Sequence, residues 1–462
     1  MLDMRNSVMT RLLGVPTILS FVISAGALLL AAQASEKRQV AFPTEIDVPT
    51  NNPYTGWGIW AGSYGFGNDE KAYAVAEVTT GFGDDAPLSS WVLLDWDWAG
   101  LEPQQGNYQW QDFDQVVRYW GSRGKQLVFR PWVTDNPGWA GRPGRQALPE
   151  WIWSKGVHYR EYPGNGGTTV RELDYLHPTY QQVYLPLLRK LLEAFASRYD
   201  KPGTPIIMMQ VMGYGHWADW GTWYSHCAFP SREFKHDLLA TIMNMYIQTF
   251  KHIRLFEMVA NDYDHYDETP EEQMYAKALD VAVANQFALI WTGFIDGLGG
   301  WGRDLKDRYW GQVPIIAEGN WAYEDMKNQK THGTPDENLD VALDWHANFA
   351  HFYFDHYAYS RVVKEDRAFL ARGLKPGGLG YRLVPVSLTW PGTLPTRNMF
   401  IVKQTWANRN VGQSYVQHHL RLNLIDAQNN RKLSEVDTGF DKTSRVAGET
   451  YDLTSVFHLP KV

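Results

Sequence analysis

The segment Val313-Pro-Ile-Ile-Ala-Glu-Gly-Asn-Trp321 constrains the fold of this chain more than any other stretch. It reads as a buried strand that stops at a carboxylate, Glu318, with Gly319 and Trp321 just beyond. A buried apolar run ending in an acid is how a (β/α)8 barrel presents reactive groups at the C-terminal mouths of its strands. Trp321 adds a flat apolar face of the kind on which a sugar ring stacks. The arrangement recurs in Ile206-Ile-Met-Met-Gln-Val-Met212, which runs into Gly213-Tyr-Gly-His-Trp-Ala-Asp-Trp220. Two strand ends, each with an acid among aromatics, point to sugar chemistry.

From about Asn52 short apolar runs alternate with helical patterns, the rhythm of a parallel sheet. Strands are predicted at 57–60, 90–97, 126–133, 206–212, 254–261, 287–292 and 313–317, with an eighth at 357–363. Helices are predicted at 113–121, 175–199, 231–252, 270–283 and 336–354. Asp112, Ser231 and Thr269 stand where helices open, the last with Pro270 behind it. Eight strands are what closure of such a barrel needs. Beyond Gly373-Leu-Lys-Pro-Gly-Gly-Leu-Gly380 the chain changes to alternating runs separated by polar turns, the signature of a small antiparallel β-sandwich. The expected architecture is a (β/α)8 TIM barrel over 40–375 followed by a β-sandwich over 376–462, with a signal peptide over 1–34.

The signal peptide is read from Arg5 and Arg11, the apolar stretch Leu12 to Leu30, and the small-x-small site Ala32-Gln33-Ala34. Gly14, Pro16 and Gly26 weaken that stretch as a membrane-spanning helix, so no stable membrane insertion is expected after cleavage. The expected location is periplasmic or extracellular. Cys227 is the one cysteine, so no internal disulfide forms and the core must hold the fold. The net charge of −8 is spread among interspersed acids and bases, without the basic face that nucleic-acid binding wants. There are 21 tryptophans, and many stand beside Gly, Asp, Asn or Pro in apparent loops, where they must pack or bind something.

The most specific motif is Trp96-Asp-Trp-Ala-Gly-Leu-Glu-Pro-Gln-Gln-Gly-Asn-Tyr-Gln-Trp110, with Leu148-Pro-Glu-Trp-Ile152 after the third strand. The first resembles an element after the second strand of barrel glycoside hydrolases, especially the β-galactosidase-like families of the large retaining barrel superfamily. Tyr381-Arg-Leu-Val and the region after it are similar to the end of a bacterial family built on that barrel. That family carries Trp-Gly-Glu-Trp after strand four, where this chain has Trp217-Ala-Asp-Trp220. The resemblance implies retaining hydrolysis with catalytic acids after strands four and seven. Glu318 falls where the superfamily places its nucleophile; the competing reading is a structural acid paired with Arg130. The superfamily ends strand four with Asn-Glu, and this chain has Gly213-Tyr214 there, so Asp219 is the replacement acid/base. Trp217 and Trp220 would desolvate it and raise its pKa. Asp219 as an ordering group of its loop is the alternative.

Trp217, Trp220, Trp321, Asp97, His216, Arg130, Asp262 and Asp296 are the candidate sugar contacts. Asp95 and Asp97 share a strand face, with Asp97 nearer the mouth. Glu102 more naturally orders its own loop. No spacing matches a zinc or calcium motif, and Gly62, Gly65 and Gly67 match no nucleotide fingerprint, so no metal and no cofactor are predicted. The expected function is an exported hydrolase of O-glycosidic bonds in a poly- or oligosaccharide. Its alternative is a non-catalytic carbohydrate-binding protein on the same scaffold. A polysaccharide lyase using Tyr214 and His216, with Arg130 neutralising a uronate, is a weaker third.

Overall fold

The computed structural model describes residues 37–50, 52–61, 88–135, 146–164, 167, 169–216, 220–222, 225, 227–258, 277–292, 309–319, 323–329, 333–352, 356–393, 399–415, 418–426, 428–440 and 447–458. In chain order the strands are β1 (Arg38–Ala41), β2 (Gly56–Trp60), β3 (Trp91–Asp97), β4 (Gln126–Trp132), β5 (Tyr159–Pro163), β6 (Thr169–Leu173), β7 (Ile206–Gln210) and β8 (Arg254–Met258). They continue with β9 (Ala288–Thr292), β10 (Ile315–Glu318), β11 (Phe349–His351), β12 (Leu383–Pro391), β13 (Met399–Asn408), β14 (His418–Ile425), β15 (Lys432–Phe440) and β16 (Thr450–His458). Strands β2, β3, β4, β7, β8, β9, β10 and β11 close into a parallel barrel in that order. This is the (β/α)8 fold.

Strand residues alternate between the barrel interior and the helix layer. Trp96 and Phe129 face outward, where both meet Phe113 of the helix Trp110–Ser122, at 5.3 and 5.0 Å between ring centroids. Phe129 also stacks on Phe195 of the helix Leu185–Tyr199, at 4.8 Å. Their neighbours Asp95, Asp97, Arg130 and Trp132 therefore face the interior. Ser231 caps the helix Arg232–Thr249 as expected, accepting from the Phe234 N–H. Asp112 lies inside the first turn of its helix, which opens one turn earlier than the apolar pattern suggested.

The floor of the barrel is filled by Trp91, whose ring lies 5.6 Å from both Phe349 and His351. Gly58 on β2 is opposite Trp91 in the strand register, and a Cβ there would come within 2.3 Å of the indole. The glycine is what lets an indole lie flat across the neighbouring strand.

The eighth strand differs from expectation. It is β11, three residues long, and it falls inside the stretch predicted as the helix 336–354. The helix there ends at Asp344, and the predicted strand 357–363 lies in the helix His356–Glu365. Tyr359 and Val362, one helical turn apart, are buried positions of that helix. A three-residue strand is too short to display a period, whereas the aromatic and β-branched run after it imitates one.

Beyond the barrel, β12, β13 and β16 form an antiparallel sheet, and β14 and β15 pair as a separate hairpin. The sheet takes its fourth strand from the other end of the chain, because β1 pairs with β12. Arg382 fastens that crossing: its guanidinium meets Glu45 at 3.0 Å and donates to the carbonyls of Ile46 and Val48. Among the described residues no helix is long and apolar enough to cross a membrane.

Candidate functional site

Five strands deliver polar side chains to one level near the C-terminal mouth. Asp95, Arg130, Gln210, Glu318 and His351 all sit there buried. Glu318, Gln210 and His351 are the last residues of their strands, which is why they meet. Arg130 is the hub. Its Nη2 donates to Glu318 Oε1 at 3.0 Å, and its Nε donates to Gln210 Oε1 at 2.6 Å. Asp95 Oδ1 lies 3.9 Å from the same Nε, and Asp95 Oδ2 accepts from the Trp60 indole at 2.9 Å. Glu318 Oε1 also lies 3.0 Å from His351 Nε2. Arg130 thus donates to a carboxylate oxygen that also lies 3.0 Å from His351 Nε2. A guanidinium beside a buried carboxylate offsets the cost of taking that charge out of water.

The pairing of Glu318 with Arg130, raised from the sequence as the competing reading, is present. His351, Gln210 and Glu172 escaped the sequence reading. His351 would have been visible had the three-residue strand been placed, since it shares a face with Phe349 and stands level with Glu318.

The segment after β7 forms a tight loop at the same mouth. Gly215 has φ +82°, and a Cβ on it would lie 2.7 Å from the Gly221 nitrogen, so the returning strand leaves room only for glycine. His216 N–H then donates to the Gly221 carbonyl at 2.8 Å. The His216 ring is fully buried beside Tyr162, with Nε2 2.7 Å from Glu172 Oε1 on β6. Trp220 is 4% exposed, and its indole donates to the Val211 carbonyl at 2.8 Å. It serves as a pin for the loop. Tyr175 and Tyr180 bond the Gly215 N–H and the Gly213 carbonyl from below. Tyr214, which with His216 carries the lyase reading, is buried between Tyr175 and Phe229. Asp219, Trp217, Trp321, Asp262 and Asp296 lie outside the described residues, as does the segment 1–34 expected to be a signal peptide.

Asp97 ends β3 at the mouth, level with Trp132. Just after β4, Asp135 accepts from the Ala147 and Leu148 N–H groups at 2.6 and 3.2 Å, which ties down the far end of the β4 loop. Burial pushes the Asp135 carboxyl up to about 8; the two backbone N–H groups pull it down, and the charge of Asp97 adds to the rise. A carboxyl whose folded pKa is raised contributes stability that is fully present below its unfolded value, near 4, and is lost as pH climbs through the folded value. The stability of the fold should therefore fall between about pH 4 and pH 8 on account of this group. Asp135→Asn keeps an oxygen for both N–H groups but carries no charge. Its unfolding midpoint should match wild type near pH 4 and exceed it increasingly toward pH 9. Parallel profiles would remove Asp135 as the titrating group.

Glu102 is a loop organiser: it accepts from the Trp98 indole at 2.8 Å and from the Gly106 N–H at 2.6 Å. Among the described residues no group of three or more His, Cys, Asp or Glu side chains is placed to hold a metal ion.

No known protein family matches the chain, and no curated protein does. Among solved structures it is similar to the catalytic domain of the beta-amylase from Paenibacillus polymyxa, at 10% identity and a TM-score of 0.45, over 65% of this chain and 92% of that one. It is also similar to endo-glycoceramidase II from Rhodococcus sp., at 13% identity and a TM-score of 0.39, over 87% of this chain and 96% of that one. A third likeness is to the endo-1,4-beta-mannanase from Rhizomucor miehei, at 11% identity and a TM-score of 0.40, over 70% of this chain and 100% of that one. The fold assignment rests on the closed strand order itself.

Proposed function

We propose that this chain is an exported glycoside hydrolase that cleaves O-glycosidic bonds of a poly- or oligosaccharide with retention, in the manner of the β-galactosidase-like barrel enzymes. The observation that carries the reading is Glu318: a carboxylate at the end of the seventh barrel strand, with Arg130 and His351 on one of its oxygens. Glu318 is the nucleophile. It attacks the anomeric carbon while the glycosidic C–O bond breaks, and the acid/base, Asp219, passes its proton to the leaving oxygen. Asp219 then takes a proton from water, which attacks the same carbon and frees Glu318. Retention of this kind needs the two carboxyl groups roughly 5–5.5 Å apart. Arg130 and His351 keep the nucleophile oriented between the two steps.

His216 and Trp220, both fixed in the loop, bracket residues 217–219. In this reading that loop presents Asp219 and the Trp217 face to the sugar. Asp97, Trp321, Asp262 and Asp296 supply further sugar contacts. Glu172 acts through His216, holding the base of the loop.

A second reading has its own observation. Glu318 is only 1% exposed and already engaged by Arg130 and His351, as a structural acid would be. A carbohydrate-binding protein without catalysis would share that geometry. A reducing-end release screen of the purified protein over a glycan panel separates the two. Release from any glycan supports the hydrolase. Retention on an affinity gel of one glycan, with no release from any, supports the binding protein.

A further inference from the structure

At the end of the barrel opposite Glu318 the surface opens into a cavity of about 370 Å³. Its wall is built from strand beginnings: Arg254 opens β8, Phe287 precedes β9, and Tyr54 precedes β2. Tyr415, from the segment after β13, closes the far side. Lys251 and His252 are on the rim, and among the described residues no acidic side chain lines the cavity. The volume is at the lower end of what small-molecule sites occupy.

The Arg254 guanidinium donates to two backbone carbonyls, Gln286 O at 2.6 Å and Tyr415 O at 3.4 Å. Neither carries a formal charge, so among the described residues the cation is held without a counter-ion. The Asp200 carboxylate, outside the cavity wall, accepts from the backbone N–H groups of Lys251, His252 and Ile253, at 2.6 to 2.8 Å, and not from Arg254. Lys251 Nζ likewise donates to a carbonyl, Ile247 O. The tyrosine hydroxyls do not neutralise Arg254 either: burial raises the pKa of Tyr54 and of Tyr415, so both stay protonated at neutral pH. A partly buried guanidinium, facing a cavity without a carboxylate, is an arrangement that an anion completes.

The walls say what body the anion rides on. Phe250 and Phe287 are buried in the floor, and Tyr54 and Tyr415 are half-buried sides. Tyr54 holds a left-handed backbone, φ 59°, a conformation that side chains of its size rarely adopt. It is kept there by its N–H on Gln126 and by the Asn348 amide on its carbonyl. A bare oxyanion would use the guanidinium and leave four aromatic walls idle. A carboxylate on a ring-sized body would use both.

We propose that this cavity is a second binding site, for a ring-sized organic carboxylate, with Arg254 as its counter-ion and Lys251 as a weaker rim charge. The test uses the full chain and three probes in calorimetric titrations: glucuronate, its neutral counterpart glucose, and inorganic phosphate. Glucuronate should bind with millimolar or better affinity, glucose should not, and Arg254→Met should weaken glucuronate at least tenfold. Lys251→Ala removes an exposed charge without touching packing, and should weaken it by a smaller factor; it keeps the test decisive if Arg254→Met fails to fold. Glucuronate binding that is absent, or unchanged in both variants, overturns the proposal. So does phosphate binding that depends on Arg254 where glucuronate binding does not, which would make this a bare oxyanion site.

Discussion

Glu318→Gln is expected to lose glycan release by on the order of 10⁴-fold or more while folding like wild type. The amide is nearly isosteric, and its oxygen can still accept from Arg130 Nη2 and face His351 Nε2, so the polar layer keeps its shape. What it cannot do is form the glycosyl ester and leave again as a carboxylate. The loss should fall on kcat, with KM close to wild type, because the group acts on the reacting carbon and contributes little to holding the rest of the glycan. A folded variant that keeps most of its activity would take Glu318 out of the chemistry.

Arg130→Met should be the most costly single change in the barrel interior, by about 3–5 kcal/mol in unfolding free energy. Three contacts end at that one guanidinium: Glu318, Gln210 and Asp95. Methionine fills much of the volume but leaves the buried carboxylates of Asp95 and Glu318 without the guanidinium that lies 3.9 and 3.0 Å from them, and the penalty of an uncompensated buried charge exceeds what the pair contributed. Arg130→Lys keeps the charge and loses the planar fork, so its loss should be clearly smaller. Denaturant unfolding of both variants at pH 7 reads the difference. If Arg130→Met lies within about 0.5 kcal/mol of wild type, the polar layer is not held by this residue.

The parts of the fold legible in the sequence were those where period and burial agree. Trp91–Asp97, Gln126–Trp132 and Ile315–Glu318 are apolar runs bounded by turns or polar residues, and each became a barrel strand; the first and last end in the acids Asp97 and Glu318, and the second carries Arg130 two residues before its end. The strand Phe349–His351 was illegible because a run of three shows no period, and His351 was lost with it. The hairpin of β5 and β6 carries no strand signal, since Tyr159–Pro163 is mostly exposed and has no apolar alternation to detect. Glu172 was therefore missed, although it is buried against His216. β1 was missed for another reason: its partner β12 is over 340 residues away along the chain, and no local signal reports such a pairing. The glycines of the β7 loop were visible in the sequence, but the pin formed by Trp220 was not. Nothing in a sequence distinguishes an indole that anchors a loop from one that meets a sugar.

The central claim is that Glu318 becomes covalently bonded to the sugar. The most direct measurement is peptide mass spectrometry after incubating the protein with a panel of activated 2-deoxy-2-fluoro glycosides, which slow the second step more than the first. The account predicts one glycosyl adduct per chain, on the peptide containing Glu318, and none in Glu318→Gln. An adduct on any other residue, or glycan release by a protein that never forms an adduct at Glu318, would contradict it.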